Sequence, residues 1–338
     1  MNKYLKFFWL YAAVAILTFV SCDTEEEEET SLSMNGSFNF DLPTYVFIND
    51  VRTLTASGII IPETYATKWL ISDIYEDTLV GKTITVSFPD TIGTYSVSAI
   101  ASAADYYSVT TSKTVTTIDP SKNGSLVGVD YGDTMFTDPR DLNKYYITKV
   151  GNLEWFAQNL AWNGAGVSYR RADATQALFG RFYSWNEATG GVSSSGLGAG
   201  PQGVCPKGWS VPTDEDWADF GKALNEGEEV PFNGNWKGLG EKVTVQAYFN
   251  GDIMWPYSPD NNKYNTFKWN ALPIGNSQLS NSSFKGFSEY GFWWSSTEQS
   301  DTKAYYKYIY YDQSSFPTNY TGKDDFGASV RCVRLIKK

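Results

Sequence analysis

The chain has 338 residues, a formal net charge of −11 and not one histidine. The length allows two or three domains, and a 42% hydrophobic content belongs to folded protein rather than to a disordered chain. Without histidine there is no imidazole base, no His ligand for zinc or iron and no Ser-His or Cys-His nucleophile, while the acidic balance argues against nucleic acid or anionic lipid headgroups as partners.

Residues 1–21 read as an export signal. Lys3 and Lys6 give a positive start, Phe7 to Val20 form an apolar run too short to span a bilayer, and Phe19-Val20-Ser21-Cys22 end it in a cysteine. The pattern resembles a bacterial lipobox, which implies cleavage before Cys22, lipidation of that residue and a membrane partner reached through its acyl chains. Asp23 to Glu29 carry six carboxylates, and residues 22–32 are expected to form a self-repelling acidic tether. This tract resembles the surface-export signal of Bacteroidetes-type lipoproteins. The expected location is therefore the outer membrane, lipid-anchored and facing the exterior.

Residues 33–118 alternate short β-branched and aromatic runs with turn signals. Seven runs are predicted as strands, at Phe38–Phe40, Tyr45–Ile48, Ile59–Ile61, Thr67–Ile71, Thr83–Phe88, Thr94–Ala101 and Ser112–Ile118. That density fits an all-β sandwich with Trp69 inside it. Gly93-Thr-Tyr95-Ser-Val97 resembles the late strand of PKD-like or bacterial Ig-like modules, which implies a spacer role. Residues 119–143 show turn residues and no clear period, and are expected to be a linker.

From Lys144 to Lys338 the motifs become specific. Lys144–Val150 alternates as a strand, Gly151-Asn152 is a tight-turn pair, and Leu153–Leu160 follows as a second strand. Val211-Pro212-Thr213 precedes acidic Asp214, Glu215 and Asp216, so Thr213 is a helix N-cap with Asp216 as a short capping-box acid. Trp217, Phe220 and Leu224 then share one helical face. Arg181 and Arg331 stand within aromatic motifs and are expected to hold fixed hydrogen bonds. With Cys22 assigned to lipid, Cys205 and Cys332 remain as an even pair, expected to be disulfide-bonded in an oxidising envelope.

In order, Gly151-Asn-x-x-Trp155-x-x-x-Asn159-Leu, Gly180-Arg181-x-Tyr183-x-Trp185, Cys205-Pro-x-Gly208-Trp209-x-x-Pro212, Trp294-Ser-Ser-Thr297 and Ser329-Val-Arg331-Cys332 resemble the Fibrobacter succinogenes major paralogous domain. The resemblance implies a surface or secreted lipoprotein and an α+β, C-type-lectin-like fold for residues 144–338. At the place where such lectins carry an Asn-Asp calcium pair, this chain has Ser295 and Ser296. No Glu-Pro-Asn or Gln-Pro-Asp tripeptide precedes them, so calcium-mediated sugar binding is not implied and no cofactor or metal is expected.

The excursion from about Glu226 to Tyr290 mixes aromatic rings with amides and carboxylates. Rings that stack on a sugar's apolar face, beside groups that take its hydroxyls, are what glycan capture needs. The candidate ligand contacts are Trp236, Trp255, Tyr257, Asp260, Asn262, Tyr264, Trp269 and, from the following strand, Trp293. No catalytic residue is singled out, because no carboxylate spacing marks a hydrolytic pair. The expected function is non-enzymatic binding, with a polysaccharide or glycan as partner; the alternative is an adhesin or structural subunit that engages a host or bacterial surface protein.

Overall fold

The computed structural model describes residues 31–337, so the signal, Cys22 and the acidic tract lie outside the described residues. Among the described residues no helix is long and apolar enough to cross a membrane.

The N-terminal unit is all β. One sheet orders strands Tyr45–Phe47, Val109–Ile118, Thr94–Ser102, Ala66–Ile71 and Leu79–Val80. Opposite it stand two pairs, Asn35–Asn39 with Ser57–Ile61 and Val51–Thr55 with Thr83–Ser87. Alternation along the strands sends one side chain in two inward: Thr67, Trp69 and Ile71 are buried while Ala66, Lys68 and Leu70 are exposed. Trp69 is fully buried at the centre, and its indole donates to the Gly81 carbonyl at 2.8 Å. Tyr95 and Val97 of the glycine-led strand join it in one core with Phe40, Leu54 and Val86.

Residues 119–143 are not a free linker. Leu126–Val127 pairs with Tyr248–Phe249, and Met135–Thr137 adds an outer strand beside Lys144–Val150. These strands have only two or three residues, too few to show a period.

The C-terminal unit adds helices to its sheets: α1 (Asp173–Phe179), α2 (Trp185–Thr189) and α3 (Asp214–Leu224). A four-stranded antiparallel sheet orders Met135–Thr137, Lys144–Val150, Leu153–Phe156 and Val333–Leu335, so the unit's last strand returns to pair with Leu153–Phe156. The larger sheet runs Ser283–Phe287, Ile274–Gln278, Tyr290–Ser300, Lys303–Tyr310 and Thr318–Gly322, with Phe326–Gly327 on the side of Ile274–Gln278.

Paired aromatics in the motifs follow from strands covered on both faces. Trp155 and Trp293 enter one core with Trp217, Phe220, Trp236, Trp255, Trp269 and Phe316. Their neighbours Phe156 and Trp294 enter the other, with Tyr145, Tyr183, Trp185, Trp209 and the Cys205–Cys332 disulfide. A further cluster joins the two units, packing Tyr45, Phe47 and Ile118 against Tyr169, Phe179, Phe249 and Phe287.

Candidate functional site

Helix α3 and the Gly151-Asn152 turn illustrate how the motif residues are used. Thr213 Oγ1 accepts from the Asp216 amide at 3.1 Å and Asp216 Oδ2 accepts from the Thr213 amide at 2.9 Å, closing the capping box. Asn152 donates through its amide and side chain to Asp219 of α3, both at 2.7 Å. Gly151 has φ of 64°, and a Cβ there would sit 2.1 Å from an Asp219 oxygen, so glycine is required.

The two motif arginines are wholly engaged. Arg181 donates to the carbonyls of Ala165 and Gly166 and to Gln176 Oε1. Arg331 is buried over the Trp269 ring and donates to Asn159 Oδ1 at 2.7 Å and to the carbonyls of Phe156, Trp269 and Asn270. Burial pushes its guanidinium down to about 9, which leaves it charged at neutral pH. Asn159 also accepts from Trp293 Nε1 at 2.9 Å and donates to the Phe179 carbonyl. Ser295 and Ser296 are fully buried; the Ser295 carbonyl takes the Trp185 indole proton and the Ser296 amide donates to Pro212.

The candidate contacts of the excursion divide sharply. Trp236, Trp255, Trp269 and Trp293 are in the core, at most 4% exposed, and offer no ring face to a ligand. An irregular segment cannot bury its backbone in regular ladders, so here it is packed around its own large side chains. Tyr257 and Tyr264 stand out at 84% and 63% exposed, with Asp260 and Asn262 exposed between them. Their loop is pinned by Glu241, whose Oε1 accepts from the Asn262 amide at 2.9 Å and whose carbonyl accepts from Tyr264. The asparagines serve the backbone: Asn250, Asn265 and Asn270 have φ of 50°, 45° and 55°, and Asn265 and Asn270 bond each other reciprocally.

One concave site of the structure was not visible in the sequence. A groove of about 550 Å³ runs between the 120–135 segment, strand Lys144–Val150 and α1, lined by Lys122, Asn123, Asp133, Lys144, Tyr131 and Tyr146 among others. Tyr131 and Tyr146 stack at 4.4 Å with planes 9° apart. Burial raises the Tyr131 phenol to about 12, so it remains a neutral donor and acceptor. The wall is tied to the motif network, since Asp130 exchanges backbone hydrogen bonds with the Asn270 side chain, and the Asn270 backbone carbonyl accepts from Arg331. Only the placement of 119–143 against the C-terminal unit creates this site, and short strands without periodicity conceal that placement.

Among the described residues no group of three His, Cys, Asp or Glu side chains stands together in a metal-holding arrangement. No curated protein and no solved structure matches the chain. The sequence profile of the Fibrobacter succinogenes major domain matches residues 148–334, more than half of the chain and the whole of the motif network just described. The protein belongs to the Fibrobacter succinogenes major domain family.

Proposed function

We propose that this is a cell-surface lipoprotein, held in the outer membrane through Cys22 and facing outward, whose C-terminal unit binds carbohydrate without catalysis and without calcium. The observation that carries the reading is the groove of about 550 Å³ with its stacked Tyr131 and Tyr146. A stacked pair offers an apolar platform for a sugar face, and Lys122, Asn123, Asp133 and Lys144 around it match a hydroxyl-rich ligand. In this reading residues 33–118 are an Ig- or PKD-like spacer, supported by its sheets closing over Trp69. The C-terminal unit is C-type-lectin-like, supported by its last strand returning to pair with Leu153–Phe156 and by its long irregular excursion.

Glycan arrays followed by calorimetry on the full chain test this. Binding should survive chelation of calcium and weaken at least about tenfold when Tyr131 and Tyr146 are changed to Ala, in line with losing aromatic stacking. A wild-type protein that retains no glycan on the array or in solution would defeat the reading. Tyr257 and Tyr264, projecting from a pinned loop, favour a second reading as a protein-binding adhesin, because exposed tyrosines are typical interface anchors. Loss of cell-surface protein binding on Tyr257→Ala with Tyr264→Ala, with glycan binding unchanged, would support it.

A further inference from the structure

The N-terminal unit exposes large apolar side chains at the end where the described chain enters. Leu32 runs beside the turn at 105–107, its amide donating to the Asp105 carbonyl at 2.7 Å and its carbonyl accepting from Tyr107 at 2.9 Å. Asn35 then stands opposite Ile61, so strand Ser57–Ile61 finishes at the same pole. Ala66 opposite Ser102 and Val109 opposite Ala101 bring the 62–65 and 103–108 connections there as well. Leu32, Ile60, Ile61 and Tyr107 are between 49% and 68% exposed.

Strand geometry accounts for how these side chains come to point outward. Ile59 packs against the sandwich core, which sends Ile60 to the opposite face, and Ile61 and Leu32 lie past the end of the core. The charges around them have one sign. Across residues 31–36, 60–65 and 103–108 the charged side chains are Glu63 and Asp105, with no lysine or arginine. Tyr65, Tyr106 and Tyr107 stand among the same segments, and a phenol ring suits a boundary that is apolar on one side and wet on the other.

The length of chain ahead of this pole says what lies opposite it. Cys22, the proposed lipidation point, precedes Leu32 by ten residues, which span at most about 36 Å. The far pole, where Ile118 meets the C-terminal unit, is a further ten-residue strand away, about 33 Å. A tether this short holds the patch near the bilayer at a millimolar-range effective concentration, so a contact too weak to recruit a free protein is enough. We propose that Leu32, Ile60, Ile61 and Tyr107 seat this pole on the surface of the bilayer that holds the Cys22 acyl chains. The inference rests on the lipid-anchor part of the proposed function and is independent of any glycan site. Glu63 and Asp105 direct the contact to zwitterionic and not anionic headgroups. A seated pole stands the N-terminal unit upright and carries the C-terminal unit away from the membrane.

The test uses the mature chain, Cys22 to Lys338, in which the Cys205–Cys332 disulfide leaves Cys22 as the free thiol. That thiol is coupled to a maleimide phospholipid in phosphatidylcholine vesicles. Hydrogen exchange is then compared with that of the uncoupled, thiol-capped chain in solution. The amides of Glu63, Thr64, Ala104 and Asp105 donate no hydrogen bond among the described residues and should slow at least about tenfold on vesicles. Those of Asp90 to Ile92, held beside Thr117 at the far pole, should not change. Leu32→Ser with Ile60→Ser and Tyr107→Ser should remove the slowing; if that variant melts below the parent, Tyr107→Ser alone, on an exposed turn, should reduce it. No slowing at the four amides, equal slowing at both poles, or slowing that persists in the serine variants would each overturn the proposal. Protection in native membranes but not on protein-free vesicles would assign the patch to a protein neighbour and overturn it too. Peptide mass of the protein from its own membranes separates the two readings: an unmodified Cys22 defeats the anchor and the contact together, whereas an acylated Cys22 without protection on vesicles defeats the contact alone.

Discussion

Lys307 is buried at the centre of the C-terminal unit with its ammonium 3.2 Å from the Trp236 ring centroid and 3.1 Å from Thr318 Oγ1. Among the described residues it forms no ion pair, and burial holds its pKa well below that of a free lysine. The folded chain therefore binds fewer protons at this site than the unfolded chain between the depressed pKa and about 10.4, so stability should rise with pH across that window. Lys307→Met keeps the volume and removes the desolvated charge. It should raise the denaturant midpoint, by about 1–3 kcal/mol in unfolding free energy, and flatten the slope between about pH 7 and pH 10. Arg331 should behave oppositely. Arg331→Met strands three backbone carbonyls and leaves Asn159 Oδ1 with Trp293 as its donor, and should cost about 3 kcal/mol or more in chemical unfolding while loosening the Asp130 side of the groove. The sequence made this arginine's role legible, since a guanidinium among aromatic motif residues must find acceptors. It could not reveal which tryptophans face outward, because Trp236, Trp255 and Trp269 sit in a region without a helix or strand period to assign them a face. The nearby asparagines were equally ambiguous: an amide suits a sugar hydroxyl and a left-handed turn alike.

Helix α3 was readable because its start signals and its apolar spacing agree. Thr213→Ala removes one half of the capping box and should lower stability by about 1 kcal/mol, measured by thermal or urea unfolding. Its other half titrates: desolvation raises the Asp216 carboxyl to about 6, against the pull of the Gly198 and Thr213 amides. The folded chain then keeps a proton that the unfolded chain releases near pH 4, so this residue's contribution favours folding most below about pH 4 and declines as pH rises to about 6. In Asp216→Asn that part of the pH dependence should vanish from a series of urea melts. Strand Val51–Thr55 shows the opposite case. Only Leu54 of its five residues is buried, and a strand with one inward apolar residue leaves no alternation to detect. The same holds for Leu126–Val127 and Met135–Thr137, whose pairing turned an expected linker into a wall of the groove.

At the scale of the molecule, two features tie distant parts of the chain together. The Cys205–Cys332 bond closes 127 residues around the core of the C-terminal unit, and both sulfur-bearing residues are fully buried. The chain-entropy estimate puts its contribution at roughly 5 kcal/mol, so reduction under denaturing conditions followed by alkylation should prevent full refolding or lower the thermal midpoint markedly. The second feature is strand Val109–Ile118. At its start, the bridge of Leu32 to Tyr106 marks where the described chain enters; at its end, Ile118 is buried against the C-terminal unit. Ten residues of extended strand span about 33 Å, and entry and exit lie toward opposite poles of the N-terminal unit. If the chain is pulled between an anchored N-terminus and a captured ligand, the load runs along the strands. Their ladders, including the parallel pairing of Tyr45–Phe47 with Thr116–Ile118, are then sheared all at once and not peeled bond by bond. Under such a load this unit would carry the tension along its strands and deliver it at Ile118, where the C-terminal unit is attached.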